Sequence, residues 1–316
     1  EDMHSDNFVG DTVNWWLTER QSESPLFLQI GFPGPHPPFD PTERWLDHYK
    51  NVNIPTPTVT KEELAAQPPA HAAFRDNMVK YNQDAVAWKH NPSKEELLRV
   101  RRHYAANISM IDEKIGLILN NLEERDLLKN TIVIFTSDHG EAIGDHGHIQ
   151  KWTMYDVSVK VPLLIWAPGK IKEGSSSDAL IQLMDIAPTI LDYASIPIPN
   201  NWQARSFKNL LESKNNLKIR DAVYSELTRG HIQTASEFIC MRRDKRWKLV
   251  WYLGETNGEL YDLESDPGEL YNLWNSKKYM KIRQDRENLI QEEMIRNMVL
   301  AQSRSMEKPQ PYMEIK

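Results

Sequence analysis

The stretch from Thr136 to Lys151, TSDHGEAIGDHGHIQK, concentrates side chains that bind ions. Asp138 and His139 are adjacent and Gly140 follows, so one carboxylate and one imidazole are available to a single divalent cation. The oxygen suits a hard ion such as calcium or magnesium, and the nitrogen tolerates manganese or zinc. Two ligands do not complete a metal shell, and the rest are expected from elsewhere, carboxylates preceding Glu1 being the candidate. The same Ser-Asp-His-Gly also reads as a turn whose Asp caps the next element. Gly140, Gly144 and Gly147 keep the backbone flexible and close to whatever sits above it. His146, His148 and Lys151 converge on this loop. Lys151 would bring a compact cationic donor to an anion, against the plainer reading of a solvated lysine, and His146 and His148 read more readily as loop histidines that only hydrogen-bond.

A second candidate is His36, in GFPGPHPPFDP. Its neighbouring prolines are expected to fix it in a rigid extended segment, which lowers the entropy lost on ordering. An imidazole titrating near neutrality can bind an anion or give a proton to a leaving oxygen.

These residues need elements to position them. TIVIFT (131 to 136) and VPLLIWA (161 to 167) read as buried strands, and Asp138 and His139 follow the first, where open α/β sheets place their ligands. SPLFLQIGF reads as another buried strand, behind an amphipathic helix over residues 7 to 20 that carries Phe8, Val13, Trp16 and Leu17. Residues 33 to 67 are proline-rich and predict an extended surface excursion. The clearest helix spans Ser93 to Leu128: Leu97, Tyr104, Ile108, Ile111, Ile115, Ile118 and Leu122 share a face, behind a Ser93 cap with Glu96 three residues on. Asn107-Ile-Ser109 matches a glycosylation acceptor, but its place inside that helix argues against use. LMDIAPTILDYA (183 to 194) is a further helix. After Asn200, alternating aromatic-rich segments (AVYSEL, FICMRRD, RWKLVWYL, GELYDL) predict a small antiparallel sheet, closed by a helix from about Tyr279 to Gln302.

With 316 residues, the chain has room for a large domain and a small one. Its formal charge of -7 and lack of a long basic run argue against nucleic acid as a partner, and no window is apolar enough to span a membrane. A lone cysteine, Cys240, excludes an intrachain disulfide and a multi-cysteine zinc site, and its flanks FICMRR predict a buried strand. Trp152, Trp202, Trp247 and Trp251 are candidate stacking platforms for sugar rings, most tryptophans being core. Arg229, His231, Arg242 and Arg243 are candidates to read a carboxylate or another anionic group, against the plainer reading of a solvated face.

The run TIVIFTSDHGEAIGDHGHIQKWTMYDVSVKVPLLIWAPG resembles the metal-binding and anion-binding stretch of the type I sulfatases, members of the alkaline phosphatase superfamily. FPGPHPPF, RRHYAANISMIDEKIGLILNNL, MDIAPTILDYA and ELYDLESDPGELYNL resemble further family landmarks in the same order. The resemblance implies an α/β fold, with an alkaline-phosphatase-like core sheet flanked by helices over residues 1 to 205. A small C-terminal antiparallel sheet with a helix would occupy residues 206 to 316. It further implies that Asp138 and His139 ligate Ca2+, that Lys151 holds a sulfate oxygen, and that His36 contacts the sulfate or the leaving oxygen. In that family a formylglycine hydrate, made from cysteine in Cys-x-Pro-Ser-Arg, attacks sulfur, while the metal and a lysine stabilise charge on the sulfuryl oxygens. A periplasmic, secreted or lysosomal location is the family's expectation.

This chain has no Cys-x-Pro-Ser-Arg, and Cys240 lies in the wrong region. It reads as the C-terminal two-thirds of a sulfatase, with the nucleophile and about half the metal shell in a missing N-terminal segment. The expected substrate is a sulfate ester on a carbohydrate. A phosphodiester or phosphonate monoester hydrolase of the same superfamily shares the Asp-His and lysine spacing, and a catalytically silent sulfated-glycan binding module stands as a third reading.

Overall fold

The computed structural model describes residues 4–21, 24–81, 83–213, 217–228 and 236–306. Arg229 and His231 lie outside the described residues. Two compact units divide the chain, Glu1–Ala65 with His71–Glu173 and Ala66–Ala70 with Gly174–Lys316. The division falls after residue 173 rather than 205. The segment around Asp185 is tied to the second unit, because Arg220 forms a buried ion pair with Asp185 and the Gln182 side chain donates to the Tyr224 carbonyl at 3.1 Å.

The first unit contains α1 (Ser5–Glu19), α2 (Glu43–Tyr49), α3 (Lys61–Ala66), the start of which belongs here, and most of α4 (Pro69–Tyr81). It continues with α5 (Lys94–Glu124), β1 (Val133–Thr136), α6 (Asp156–Val159) and β2 (Leu163–Trp166). The spine is α5. Ser93 accepts from the Glu96 N–H at 3.2 Å while Glu96 accepts from the Ser93 N–H at 2.9 Å, the reciprocal capping that the sequence predicts. Ile118 and Leu122 of α5 pack with Leu17 of α1, and Leu26, Ile30 and Phe32 cover that cluster. Leu26 to Phe32 thus buries part of its apolar run as expected but is not a strand: no described segment offers it a ladder. Apolar character and backbone pairing are separate requirements, and only the first is met here.

β1 and β2 pair antiparallel, Val133 opposite Trp166 through Thr136 opposite Leu163. They are not fully buried as expected. Phe135, Leu164 and Trp166 are exposed, because two strands packed on one side leave every second side chain on the other.

The second unit holds α7 (Ile186–Tyr193), α8 (Lys208–Glu212), β3 (Val223–Thr228), β4 (Phe238–Arg243), β5 (Trp247–Tyr252), β6 (Glu259–Asp262) and α9 (Met280–Met306). The four strands form an antiparallel meander in chain order. Cys240, Trp247, Leu249, Leu260, Trp274 and Ile290 make its core, with Trp251 packed against them. Cys240 is buried, and burial pushes its thiol up to about 12, so it has the character of a core residue and not of a nucleophile.

Candidate functional site

The loop that leaves β1 is held rigidly, contrary to the flexibility its glycines suggest. Gly140 N–H donates to the Ser158 carbonyl at 2.7 Å, Ala142 N–H to Gln150 at 3.1 Å and Gly144 N–H to His148 at 2.8 Å. A Cβ on Gly140 would stand 2.0 Å from the Val157 carbonyl oxygen, so glycine serves close approach here. From α5, Arg101 Nε donates to the Ile143 carbonyl at 3.0 Å and its guanidinium pairs with Asp145. His146 stacks on Tyr155 with ring centroids 3.7 Å apart and meets Glu63 at 2.8 Å, while His148 Nε2 lies 3.1 Å from His71 Nδ1. Both histidines are buried supports of the loop. Burial, reinforced by His71, Arg75 and His146, holds the His148 pKa well below the ordinary histidine range and keeps the ring neutral.

On that frame Asp138 is exposed and His139 half-buried. His139 Nδ1 lies 2.9 Å from the Gly140 carbonyl, which can only accept, so the proton of the neutral ring is on Nδ1. Nε2 then presents a lone pair 3.4 Å from Asp138 Oδ2. Two electron-pair donors held this way call for a proton or a cation between them, and anchoring of the far ring nitrogen on a backbone carbonyl is how metal-binding histidines are oriented. The pair therefore fits a divalent ion. Among the described residues no three His, Cys, Asp or Glu side chains converge on one point, so the pair supplies part of a shell.

Lys151 is half-buried, its Nζ 5.9 Å from the Trp152 ring centroid, and its ammonium makes no hydrogen bond or ion pair among the described residues. Glu141, not singled out by the sequence reading, stands near it. Burial pushes the Glu141 carboxyl up to about 7 against hydrogen bonds from the Gln150 and Ala142 N–H groups and the Lys151 charge. Its Oε1 is buried without a hydrogen-bond partner among the described residues. An acid in the sequence between the Asp-His pair and the lysine was the available signal.

His36 sits in a turn and not an extended segment. Its N–H donates to the Pro33 carbonyl at 3.2 Å, as Pro and Gly at turn positions favour, and Gly34–Pro35 and Pro37–Pro38 are cis. The ring donates from Nδ1 to the Pro37 carbonyl at 2.6 Å, leaving Nε2 uncommitted. The turn is secured by Gly34 N–H donating to Asp6 Oδ1 at 2.8 Å and by His103 donating to the Phe39 carbonyl at 3.0 Å. His36 borders a cavity of about 350 Å³ whose lining includes none of Asp138, His139 and Lys151. Among the described residues no hydrogen bond or ion pair joins His36 to those three. What the two regions share is α5. The Tyr104 ring meets Phe39 edge-on at 5.6 Å, and its hydroxyl is pushed up to about 12 by burial first and then by Glu141 and Asp138. One turn on, Asn107 lines the His36 cavity.

Of the remote candidates, Trp247 is core, Arg242 is buried and paired with Asp244 at 2.8 Å, and Trp202 is exposed. Asn107 is itself buried in α5, which leaves no room for a glycan.

Residues 2–196 match the family described as Sulfatase. The chain belongs to the sulfatase family. Residues 144–296 also match the family described as N-sulphoglucosamine sulphohydrolase, C-terminal. It is 33% identical over 282 residues to an arylsulfatase of Clostridium perfringens, covering 88% of this chain and 55% of that one. It is 32% identical over 210 residues to the N-acetylglucosamine-6-O-sulfatase of Bacteroides thetaiotaomicron, covering 66% of this chain and 36% of that one. Its fold is shared with BT4656, solved in complex with its substrate D-glucosamine-2-N,6-O-disulfate, at TM-score 0.75 and 24% identity over 92% of this chain and 69% of that one. The phosphonate monoester hydrolase of Silicibacter pomeroyi superposes at TM-score 0.81 and 22% identity, covering 94% and 61% respectively. The chain spans about half the length of the curated relatives it matches. The alkaline-phosphatase-like fold implied by the sequence resemblance, with its small C-terminal sheet and helix, is the fold observed.

Proposed function

We propose that the protein to which this chain belongs hydrolyses a sulfate ester on a carbohydrate, and that Asp138, His139, Lys151 and His36 serve that reaction. The observation that carries this reading is the loop from 137 to 151, where a carboxylate and an imidazole lone pair face each other at 3.4 Å and an uncommitted ammonium follows on the same rigid frame. Asp138 and His139 would hold a divalent ion, Ca2+ being favoured by the carboxylate oxygen. When bound, it supplies positive charge toward the sulfate oxygens.

Lys151 donates to a non-bridging sulfate oxygen, and its position against Trp152 keeps the ammonium partly desolvated, which strengthens that contact. His36, oriented by its Nδ1 bond to Pro37, offers Nε2 to the leaving oxygen and, when protonated there, gives it a proton. The nucleophile, formylglycine, lies in a segment outside this sequence. The carbohydrate assignment draws on the relative named for N-acetylglucosamine-6-O-sulfate chemistry and on the neighbour solved with a glucosamine disulfate.

The test is turnover of aryl sulfate, sugar sulfate and aryl phosphonate esters by the full-length protein, with metal content measured on the same samples. Preferential hydrolysis of the sulfates, lost together with the metal in Asp138→Asn, is expected. Faster turnover of the phosphonate would transfer the protein to the phosphonate monoester hydrolases, and no turnover of any ester would leave it a binding module.

A further inference from the structure

Residues lining the cavity against His36 carry polar atoms that make no hydrogen bond among the described residues. Asp6 and Asn107 both line it and each is only 1% exposed. Asp6 Oδ1 accepts from Gly34, but Oδ2 accepts no hydrogen bond, and neither does Asn107 Oδ1. A buried oxygen left without a donor forfeits the hydrogen bonds it made to water, and each case asks for an explanation. His4, also in the lining, adds the opposite need. Its Nδ1 accepts the Asp6 N–H at 3.2 Å, which puts the proton of the neutral ring on Nε2. Nε2 finds no acceptor, because Asp40 Oδ1 at 3.5 Å makes no hydrogen bond with it.

The residues lining the cavity thus carry two unused acceptors and one unused donor among the described residues. An ammonium group would satisfy only the acceptors. A sulfate or carboxylate would satisfy only His4 and would be repelled by Asp6 and Asp40. A hydroxyl both donates and accepts, so it alone of these serves the donor and one of the acceptors at once. A volume of about 350 Å³ is at the small end of the ~300–1,000 Å³ of ligand pockets, enough for one sugar ring.

We propose that this cavity is a hydroxyl-reading subsite: it takes a hydroxyl of the sulfated sugar, which donates to Asn107 Oδ1 or Asp6 Oδ2 and accepts from His4 Nε2. The proposal rests on His36 facing the leaving oxygen, since that places the alcohol half of the ester beside the cavity. It adds the means of telling a sugar from an aryl alcohol. Asp6 also secures the Gly34 turn, so the discriminating residues for experiment are Asn107 and His4.

The experiment compares kcat/KM of the full-length protein for 4-nitrophenyl sulfate, which has no hydroxyl, and for the best substrate of a panel of monosaccharide sulfates. Asn107→Leu and His4→Phe are each expected to lower the sugar-to-aryl ratio about tenfold, and thermal melts report folding of both. Removing the recognised hydroxyl from the sugar should then lower kcat/KM of the wild type and leave Asn107→Leu unaffected. A ratio within twofold of wild type in both variants, as for a cavity filled by water, overturns the proposal. If the wild type hydrolyses neither sulfate, the sulfatase reading fails by itself. The cavity is then judged by saturation-transfer NMR with unsulfated methyl glycosides: a signal abolished by Asn107→Leu supports the subsite, and no wild-type signal overturns it.

Discussion

Asp138 Oδ2 and His139 Nε2 face each other at 3.4 Å while Nδ1 of the same ring is anchored 2.9 Å from the Gly140 carbonyl. The ring cannot turn its proton toward the carboxylate without losing that anchor. In the full-length protein, Asp138→Asn or His139→Ala should lower divalent-ion affinity by at least about tenfold, the scale seen even for partners of metal ligands. Elemental analysis and turnover measured together check this; turnover lost with metal fully retained would assign the pair another role.

Lys151 carries an ammonium with no hydrogen-bond or ion-pair partner among the described residues. Lys151→Ala should reduce sulfate-ester turnover about 10²–10³-fold, as for loss of one donor to developing charge. Metal content and melting temperature should stay near wild type. Turnover within threefold of wild type would make Lys151 a bystander.

Burial pushes Glu141 up to about 7 from its usual 4.5. The folded chain keeps a proton that the unfolded chain releases, so stability present below pH 4.5 is lost as pH rises through about 7. Glu141→Gln cannot ionise. In urea unfolding with chelator present, the variant should gain about 1–3 kcal/mol on the wild type between pH 4 and pH 8. An equal pH slope in both proteins would contradict the buried-acid assignment.

Gly140→Ala would bring a methyl group against the Val157 carbonyl oxygen, 2.0 Å away. Because the contact is backbone, relief requires moving the loop, and a loss of about 1–3 kcal/mol is expected. Denaturant midpoints test it, and an unchanged midpoint would show that the loop yields freely.

Cys240, inside β4, should resist thiol reagents at pH 8 until the chain unfolds, since burial pushes its pKa up to about 12. Prompt labelling of the native protein would show that this sheet opens.

Much of this was legible in the residues. Ser93 and Glu96 announce the start of α5, and the aromatic-rich segments AVYSEL, FICMRRD, RWKLVWYL and GELYDL give the strands of the meander, although β4 to β6 are buried almost throughout rather than on alternate residues. The apolar run from Leu26 to Phe32 misled, since a strand also needs a neighbour and no local pattern supplies one. The Asp138-His139 pair was legible as chemistry, but its tautomer depends on the Gly140 carbonyl, a matter of torsion angles. His4, Asp6 and Asn107 gave no signal, because Asn107 lies about a hundred residues from the other two and all three line one cavity only in the folded chain.

Arg101, His103, Tyr104 and Asn107 all project from two turns of one capped helix, toward the loop after β1 and the turn around His36. A sliding or tilting of that rod carries both sets of side chains along together. The turn around His36 and the loop after β1 therefore share a single support, as two shelves hang from one bracket.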